Sequence, residues 1–501
     1  MALPSPWWLI YLPVLLLVLA PLFDIAGHRK GLPELPHAFT LAVSLACAAI
    51  FYTVAFSLRG ASPVLCLLAY GQPGLGTCFI VERAGLFMAS TALLLAITAS
   101  LFSLSRGPAF PGYGVAFTAL VVGMLGVALA GDLLTLYVFW EMMCLSAYAL
   151  VAMGDVRERA LEAAWKYFIM ASAGAIIMLI GAAIAYGLAG TLNLLLLAGL
   201  SARGAPRAWL YTALVLFILG MGVEAAIFPL HTWLPDAYSE APTPVSATIA
   251  GITTEMGLYG LLKILVVIFR AVASVWQQVL AILCVANMFL GNLCALVQDD
   301  IKRLLAYSSI GVIGYALAAL VALSPSALAA VLFLIFSHAI SKSLAFLSAG
   351  PLASGADSRE LTALGRSWSK APAAWLALLL ALTCRAGLPA TSGFVEKLLL
   401  LSAIFSSPFW WLGLVMVVNV VIAAAAYFRP VFIMLRSGLK ALGRGELTAK
   451  APQEGERTGL GELLAFLILG LLVLAVGIWP SPVAELAAEG AEDLLSLGGG
   501  R

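Results

Sequence analysis

Apolar residues in this chain do not follow the one-face pattern of a soluble helix or the alternation of an exposed strand. They run on for about twenty positions at a time, the length needed to cross a bilayer. Fourteen such stretches can be marked, near 5–26, 36–58, 84–104, 113–131, 133–153, 164–188, 209–230, 243–269, 273–298, 304–323, 326–349, 371–403, 408–434 and 460–480. Lipid leaves no partner for a free backbone amide or carbonyl, so the pattern predicts an all-α polytopic bundle of about fourteen transmembrane helices. The stretch at 62–80 is also apolar but is interrupted by Pro73 and several glycines, and is expected to form a surface or re-entrant loop. The first stretch has no basic residues before it and carries Trp7 and Trp8, so it is expected to be a retained, interface-anchored helix.

Composition agrees with this pattern. Of 501 residues 63% are hydrophobic and 10% charged, against roughly 25% charged in soluble domains. Mean hydropathy is +1.05. A soluble enzyme, a nucleic-acid binder and a disordered chain are excluded, and the net charge of +2 points to no polyanionic partner. Seven cysteines, mostly in apolar stretches and without a CxxC pair, are expected to be packing residues rather than metal ligands or disulfides. Fifteen Lys and Arg fall in the connections after odd-numbered spans, against six in the others and the C-terminal tail. By the positive-inside rule, the chain is expected to be a multi-pass protein of the inner (plasma) membrane with both termini outside.

Charges within the spans carry the functional signal, since each costs about 2.5–3.5 kcal/mol at a helix centre. Glu141, Glu224, Glu255, His338, Lys342, Arg385 and Lys397 lie deep or beside a helix break and are expected to form a buried polar path; Glu396 is also intramembrane. Lys166 and Arg429 near one end and Lys263 near the other are expected to snorkel to the surface, with Lys166 and Lys263 as further candidates for the path. Two spans are interrupted by proline, at GMGVEAAIFPLHTWLP and LTCRAGLPATSGFVEKLLL, with Glu224, Arg385 and Lys397 flanking Pro229 and Pro389. Paired broken helices point to a transport site, because the freed backbone groups need polar partners. Acids, lysines and a histidine in series can relay protons, each site responding to its neighbour's charge. No GxGxxG, P-loop or cysteine cluster is present, so no cofactor is expected in this chain and electron chemistry is assigned to other subunits.

The segments GDLLTLYVFWEMMCLSAYAL, AAWKYFIMASAGA, FPLHTWLPDAYSEAPTPVSA, DIKRLLAYSSIGVIGYA, HAISKSLAFLSAG and GLPATSGFVEKLLL together resemble the antiporter-like subunit family shared by respiratory complex I, energy-converting membrane hydrogenases and Mrp-type cation/proton antiporters. The resemblance runs from about 113 to 405 and divides the chain into N-terminal helices (1–112), an antiporter-like core (113–405) and C-terminal helices with a tail (406–501). It implies two inverted five-helix repeats and a proton path along the midplane, with Glu141, His338, Lys342 and Lys397 fitting the family pattern. Glu224 and Glu255 stand where that family usually has lysine. If Glu141 and Glu224 approach each other, both cannot ionise comfortably, which leaves open a proton path compensated by Lys166, Lys342 or Arg385, or a carboxylate site that holds sodium.

The expected function is a proton- or sodium-translocating subunit of a redox-driven pump, complex I-like or hydrogenase-like. An Mrp-type antiporter subunit and a structural subunit with a degenerate channel are the alternatives. Expected partners are the bilayer, other membrane subunits and redox subunits, with no nucleic acid.

Overall fold

A computed structural model of the chain describes residues 7–32, 34–57, 65–68, 77–107, 110–198, 200, 204–443 and 458–498. Helices α1 (Trp8–Lys30) and α2 (Glu34–Ser57) come first, followed by strands β1 (Leu65–Leu68) and β2 (Cys78–Val81). The strands pair antiparallel, from Leu65 opposite Val81 to Leu68 opposite Cys78. The segment expected to be a surface or re-entrant loop therefore contains a hairpin. Four-residue apolar runs have no period that separates strand from loop, which is why the sequence pattern did not announce it.

The chain continues through α3 (Arg83–Arg106), α4 (Tyr113–Leu129), α5 (Leu133–Val151), α6 (Arg157–Ala189), α7 (Leu194–Leu197), α8 (Arg207–Glu224), α9 (Leu234–Glu240) and α10 (Thr243–Thr248). A π-helical segment, Ile249–Thr253, joins α10 to α11 (Thr254–Val267). Then follow α12 (Ala273–Leu296), α13 (Ile301–Ala322), α14 (Pro325–Ala356), α15 (Leu361–Leu364), α16 (Pro372–Ala386), α17 (Ser392–Phe405), α18 (Trp410–Gly443), α19 (Leu460–Ile478) and α20 (Ser481–Gly498). Among the described residues, twelve helical segments are long and apolar enough to cross a membrane, and Tyr113–Leu129 and Pro372–Ala386 are shorter apolar helices. The chain is a multi-pass, helical membrane protein.

Side-chain caps fix several boundaries. Asp132 accepts from the amides of Leu134 and Thr135 to start α5, and its second oxygen takes the amide of Cys78 at 2.6 Å, tying the hairpin to that helix. Asp300 starts α13 through the Arg303 amide, and Ser324 with Pro325 starts α14.

Segments 243–267, 301–322 and 325–356 are buried almost throughout and form the centre, whereas α1, α6, α12, α18 and α19 turn exposed Leu, Ile, Val and Trp side chains outward. Ion pairs collect at the two ends. One end holds Asp236 between Lys166 and Arg303, Arg359 between Glu240 and Asp300, and the Arg429–Asp299 pair. The other end holds the hairpin, Glu82, Lys263, Arg83 and α20. These are called the basic end and the hairpin end.

Candidate functional site

The first helix break exposes backbone groups that specific side chains satisfy. After α8 the chain is irregular until α9; Asn287 of α12 donates to the carbonyls of Ala226 (3.0 Å) and Ile310 (3.2 Å) and accepts the Phe228 amide (2.7 Å). The Trp233 indole donates to the Val223 carbonyl at 2.9 Å. Glu224, the last residue of α8, is thereby left buried with its carboxyl turned into the bundle. It accepts from the Tyr167 hydroxyl at 2.7 Å and from the Cys144 thiol at 3.4 Å. Gly257 allows α11 to pack against it, since a Cβ there would lie 3.1 Å from the Glu224 Cγ. Glu141, half-buried, lies one turn before Cys144 on α5, on the face that meets Glu224.

Lys166 makes its ion pairs away from this pair, with Glu162 and Asp236. It immediately precedes Tyr167, but at 3.6 residues per turn adjacent side chains diverge by about 100°. Lys166 faces outward, half-exposed, on Glu162 and Asp236, each at 2.8 Å. Burial raises the affinity of Asp236 for a proton, but Lys166 and Arg303 outweigh it and hold the carboxyl below the usual carboxylate range.

The centre of the bundle brings Glu255, His338 and Lys342 together. The π segment ends just before Glu255, whose Oε1 lies 3.1 Å from the His338 Nε2; the same nitrogen is 3.3 Å from the Ala250 carbonyl. Neither Glu255 oxygen receives a well-aligned hydrogen bond. The Tyr238 hydroxyl bonds the Ile249 carbonyl (3.1 Å) and Thr254, the residue before Glu255. One turn along α14 from His338, the Lys342 ammonium donates to the Leu305 carbonyl and the Ser308 hydroxyl, both at 2.6 Å.

The second break groups Arg385, Glu396 and Lys397. α16 stops after Ala386, which frees its last carbonyls, and Lys397 of α17 reaches back to one of them, Arg385 O, at 3.0 Å. Its second acceptor is the Gly393 carbonyl at 3.0 Å. Gly387 sits beneath the lysine with φ +91°, and a Cβ there would lie 3.2 Å from its Cδ. Arg385 has the acidic partner its burial requires, donating to both oxygens of Glu396 at 2.9 and 3.2 Å. Ser337 of α14 bonds Ser392 at the start of α17 (3.0 Å), joining this group to the centre.

Lys263 departs from expectation. It does not snorkel, because α20 and the end of α4 cover that end of α11; it is buried on Glu82 at 2.7 Å. Arg429 does reach the basic end, where it pairs with Asp299 and donates to the Gln298 carbonyl at 2.6 Å. Four buried charges lie outside the fourteen apolar stretches, Glu82, Asp132, Lys302 and Asp493; Lys302 donates to the Ala241 carbonyl at 2.9 Å. Cys144 does more than pack, since it bonds Glu224. Cys47, Cys144, Cys284, Cys294 and Cys384 form no disulfide.

Buried acids and bases therefore extend from the first broken helix through the centre to the second, an arrangement that can pass charge sideways through the bundle. Such a fold and site define an antiporter-like membrane subunit. The family profile described as NADH:quinone oxidoreductase/Mrp antiporter, transmembrane region, matches residues 130–423, and the chain belongs to this family. It is 32% identical to NADH-quinone oxidoreductase subunit N of Desulforudis audaxviator, over 93% of this chain and 95% of that one. It is 31% identical to F(420)H(2) dehydrogenase subunit N of Methanosarcina mazei, over 74% and 75% of the two chains. A chain of the archaeal membrane-bound sulfane sulfur reductase shares the fold, with a TM-score of 0.84 at 24% identity over 98% of each chain.

Proposed function

We propose that this chain is the proton-translocating membrane subunit of a multi-subunit, redox-driven pump of the complex I type, built with further membrane subunits and with redox subunits that supply the electrons. The observation that carries the reading is the buried series Glu224, Glu255, His338, Lys342, Lys397, which spans both helix breaks. Relatives named for two different electron donors support a shared translocating role that does not depend on the donor. In the proposed orientation the basic end faces the cytoplasm of the cell that holds the pump in its plasma membrane, and both termini lie outside.

Protons rather than sodium fit the first site. Both neighbours of Glu224 point hydrogens at it, the Tyr167 hydroxyl at one oxygen and the Cys144 thiol at the other, and neither offers an oxygen ligand already turned toward a cation. Within the series, a proton gained by Glu224 removes a negative charge at the first break, and each group's proton affinity responds to the charge of its neighbours. His338 can carry a proton between Glu255 and the far half; Lys342 rests on neutral acceptors, and Lys397 rests on two carbonyls with the Glu396 carboxylate 3.6 Å away.

The test is Lys397→Ala in the intact complex, purified and checked for full subunit content by mass spectrometry, then measured in vesicles. Expected is normal assembly with proton movement lost. Normal pumping by an assembled Lys397→Ala complex would refute the reading.

A further inference from the structure

The hairpin end holds a buried acid, a base and a phenol that the series above does not include. Glu82 directly follows β2 at the start of α3 and is fully buried. Its Oε1 receives the Lys263 ammonium at 2.7 Å and the Tyr259 hydroxyl at 2.9 Å, while its Oε2 is buried without a hydrogen-bond partner. Lys263 also donates to the Ala130 carbonyl at 3.0 Å. Glu255, Tyr259 and Lys263 are spaced i, i+4, i+8 along α11, so they share one face at about 6 Å of rise per step. That face leads from the carboxyl beside His338 to the Glu82 pair.

Beyond the pair lies α20. Gly490 allows it to press on α3, since a Cβ there would lie 3.0 Å from the Ala84 Cα, and Gly498 meets the Val266 carbonyl of α11. Between these contacts Asp493 accepts the amide of Arg83, the residue next to Glu82, at 3.0 Å. Arg83 in turn reaches the half-exposed Glu489 at 3.7 Å.

A structural lock does not account for this cluster. Well-packed apolar residues hold helices together as firmly as a buried ion pair, and an unpartnered buried carboxylate oxygen is a cost that a lock has no reason to carry.

We propose that Glu82 and Lys263 form the exit of the proton path at the hairpin end, with Glu82 taking a proton from the α11 face at its free Oε2 and passing it to Asp493 and so to the surface beneath α20. Protonation neutralises Glu82 and releases its hold on Lys263, whose ammonium remains on the Ala130 carbonyl. Transfer of that proton to Asp493 restores the ion pair, so each cycle leaves the cluster unchanged. The inference rests on the proton-path reading, and its test includes a variant of the main series so that the two can fail separately.

The experiment compares Glu82→Gln, Lys263→Met and the double variant with Lys397→Ala, as intact complexes in vesicles, by protons moved per electron transferred. Expected is at least a fivefold fall in both single variants and in the double variant. Recovery of pumping in the double variant would mark the pair as a lock and overturn the proposal. Normal pumping in Glu82→Gln beside a defective Lys397→Ala would overturn the exit and leave the main path standing; normal pumping in both would overturn the path itself. Asp493→Asn keeps an acceptor for the Arg83 amide and reads the same exit without disturbing the buried pair. A fall in pumping is expected there too, and an unchanged rate overturns the route whether or not the Glu82 variants assemble.

Discussion

Glu224 shows what a single residue's surroundings decide. Its charge was legible in the sequence because a carboxylate in an apolar stretch is expensive. Its partners were not, because Tyr167 and Cys144 are ordinary residues in such helices and only the fold places them within reach. Glu82 and Lys302 escaped for another reason: each stands two residues outside an apolar stretch, where a charge reads as part of a connection. Tyr167→Phe separates bonding from packing, since the ring remains stacked on Trp233 at 3.9 Å while the donor to Glu224 is lost. Proton translocation is expected to slow about tenfold, equivalent to roughly 1.4 kcal/mol, with assembly intact; an unchanged rate in vesicles would remove Tyr167 from the mechanism. Arg385→Met takes the shorter of two ion pairs from buried Glu396 and leaves it only Lys397 at 3.6 Å, and removing one partner of a buried pair costs up to about 3–5 kcal/mol. Thermal unfolding of the purified complex should show a clear drop, and Arg385→Met with Glu396→Leu should recover most of it.

At the scale of elements, the two interrupted helices were legible because Pro229 and Pro389 cannot continue a backbone ladder and flanking charges supply partners. The π segment before Glu255 was not, because no residue type in IAGIT marks it; its wider turn is a product of packing in the centre. Helix α20 was hidden in what the pattern showed only as a tail. Its docking has a pH signature. Burial pushes the Asp493 carboxyl up to about 6; the Arg83 amide and guanidinium pull against this, and Glu82 and Glu489 add to it. The docked state therefore binds a proton more tightly than the undocked one, so docking loses stability as pH rises from the ordinary carboxylate range through about 6. Hydrogen exchange of the α20 amides, corrected for intrinsic rate, should show more protection near pH 5 than near pH 8. Equal protection at both, or a difference that persists in Asp493→Asn, would assign the effect elsewhere.

On the scale of the whole molecule, the charges divide into three tiers: ion pairs at the basic end, the buried series across the middle, and the Glu82 cluster at the hairpin end. A pump needs the middle tier to communicate with each end in turn, and the identity of the moving ion is tested where the tier begins. If protons move, Glu224 acts through its own titration, so Glu224→Gln should fall sharply in translocation while keeping the shape of the site and its bond from Tyr167. The native rate should then be the same in sodium-free and sodium-rich buffer at constant ionic strength, a control that matters because salt alone screens surface charge. A sodium site predicts the reverse: a native rate that rises with sodium and a Gln variant in which that dependence is gone. The donors aimed at Glu224 favour the first outcome, and the second would replace the proton by sodium as the ion carried from this carboxyl.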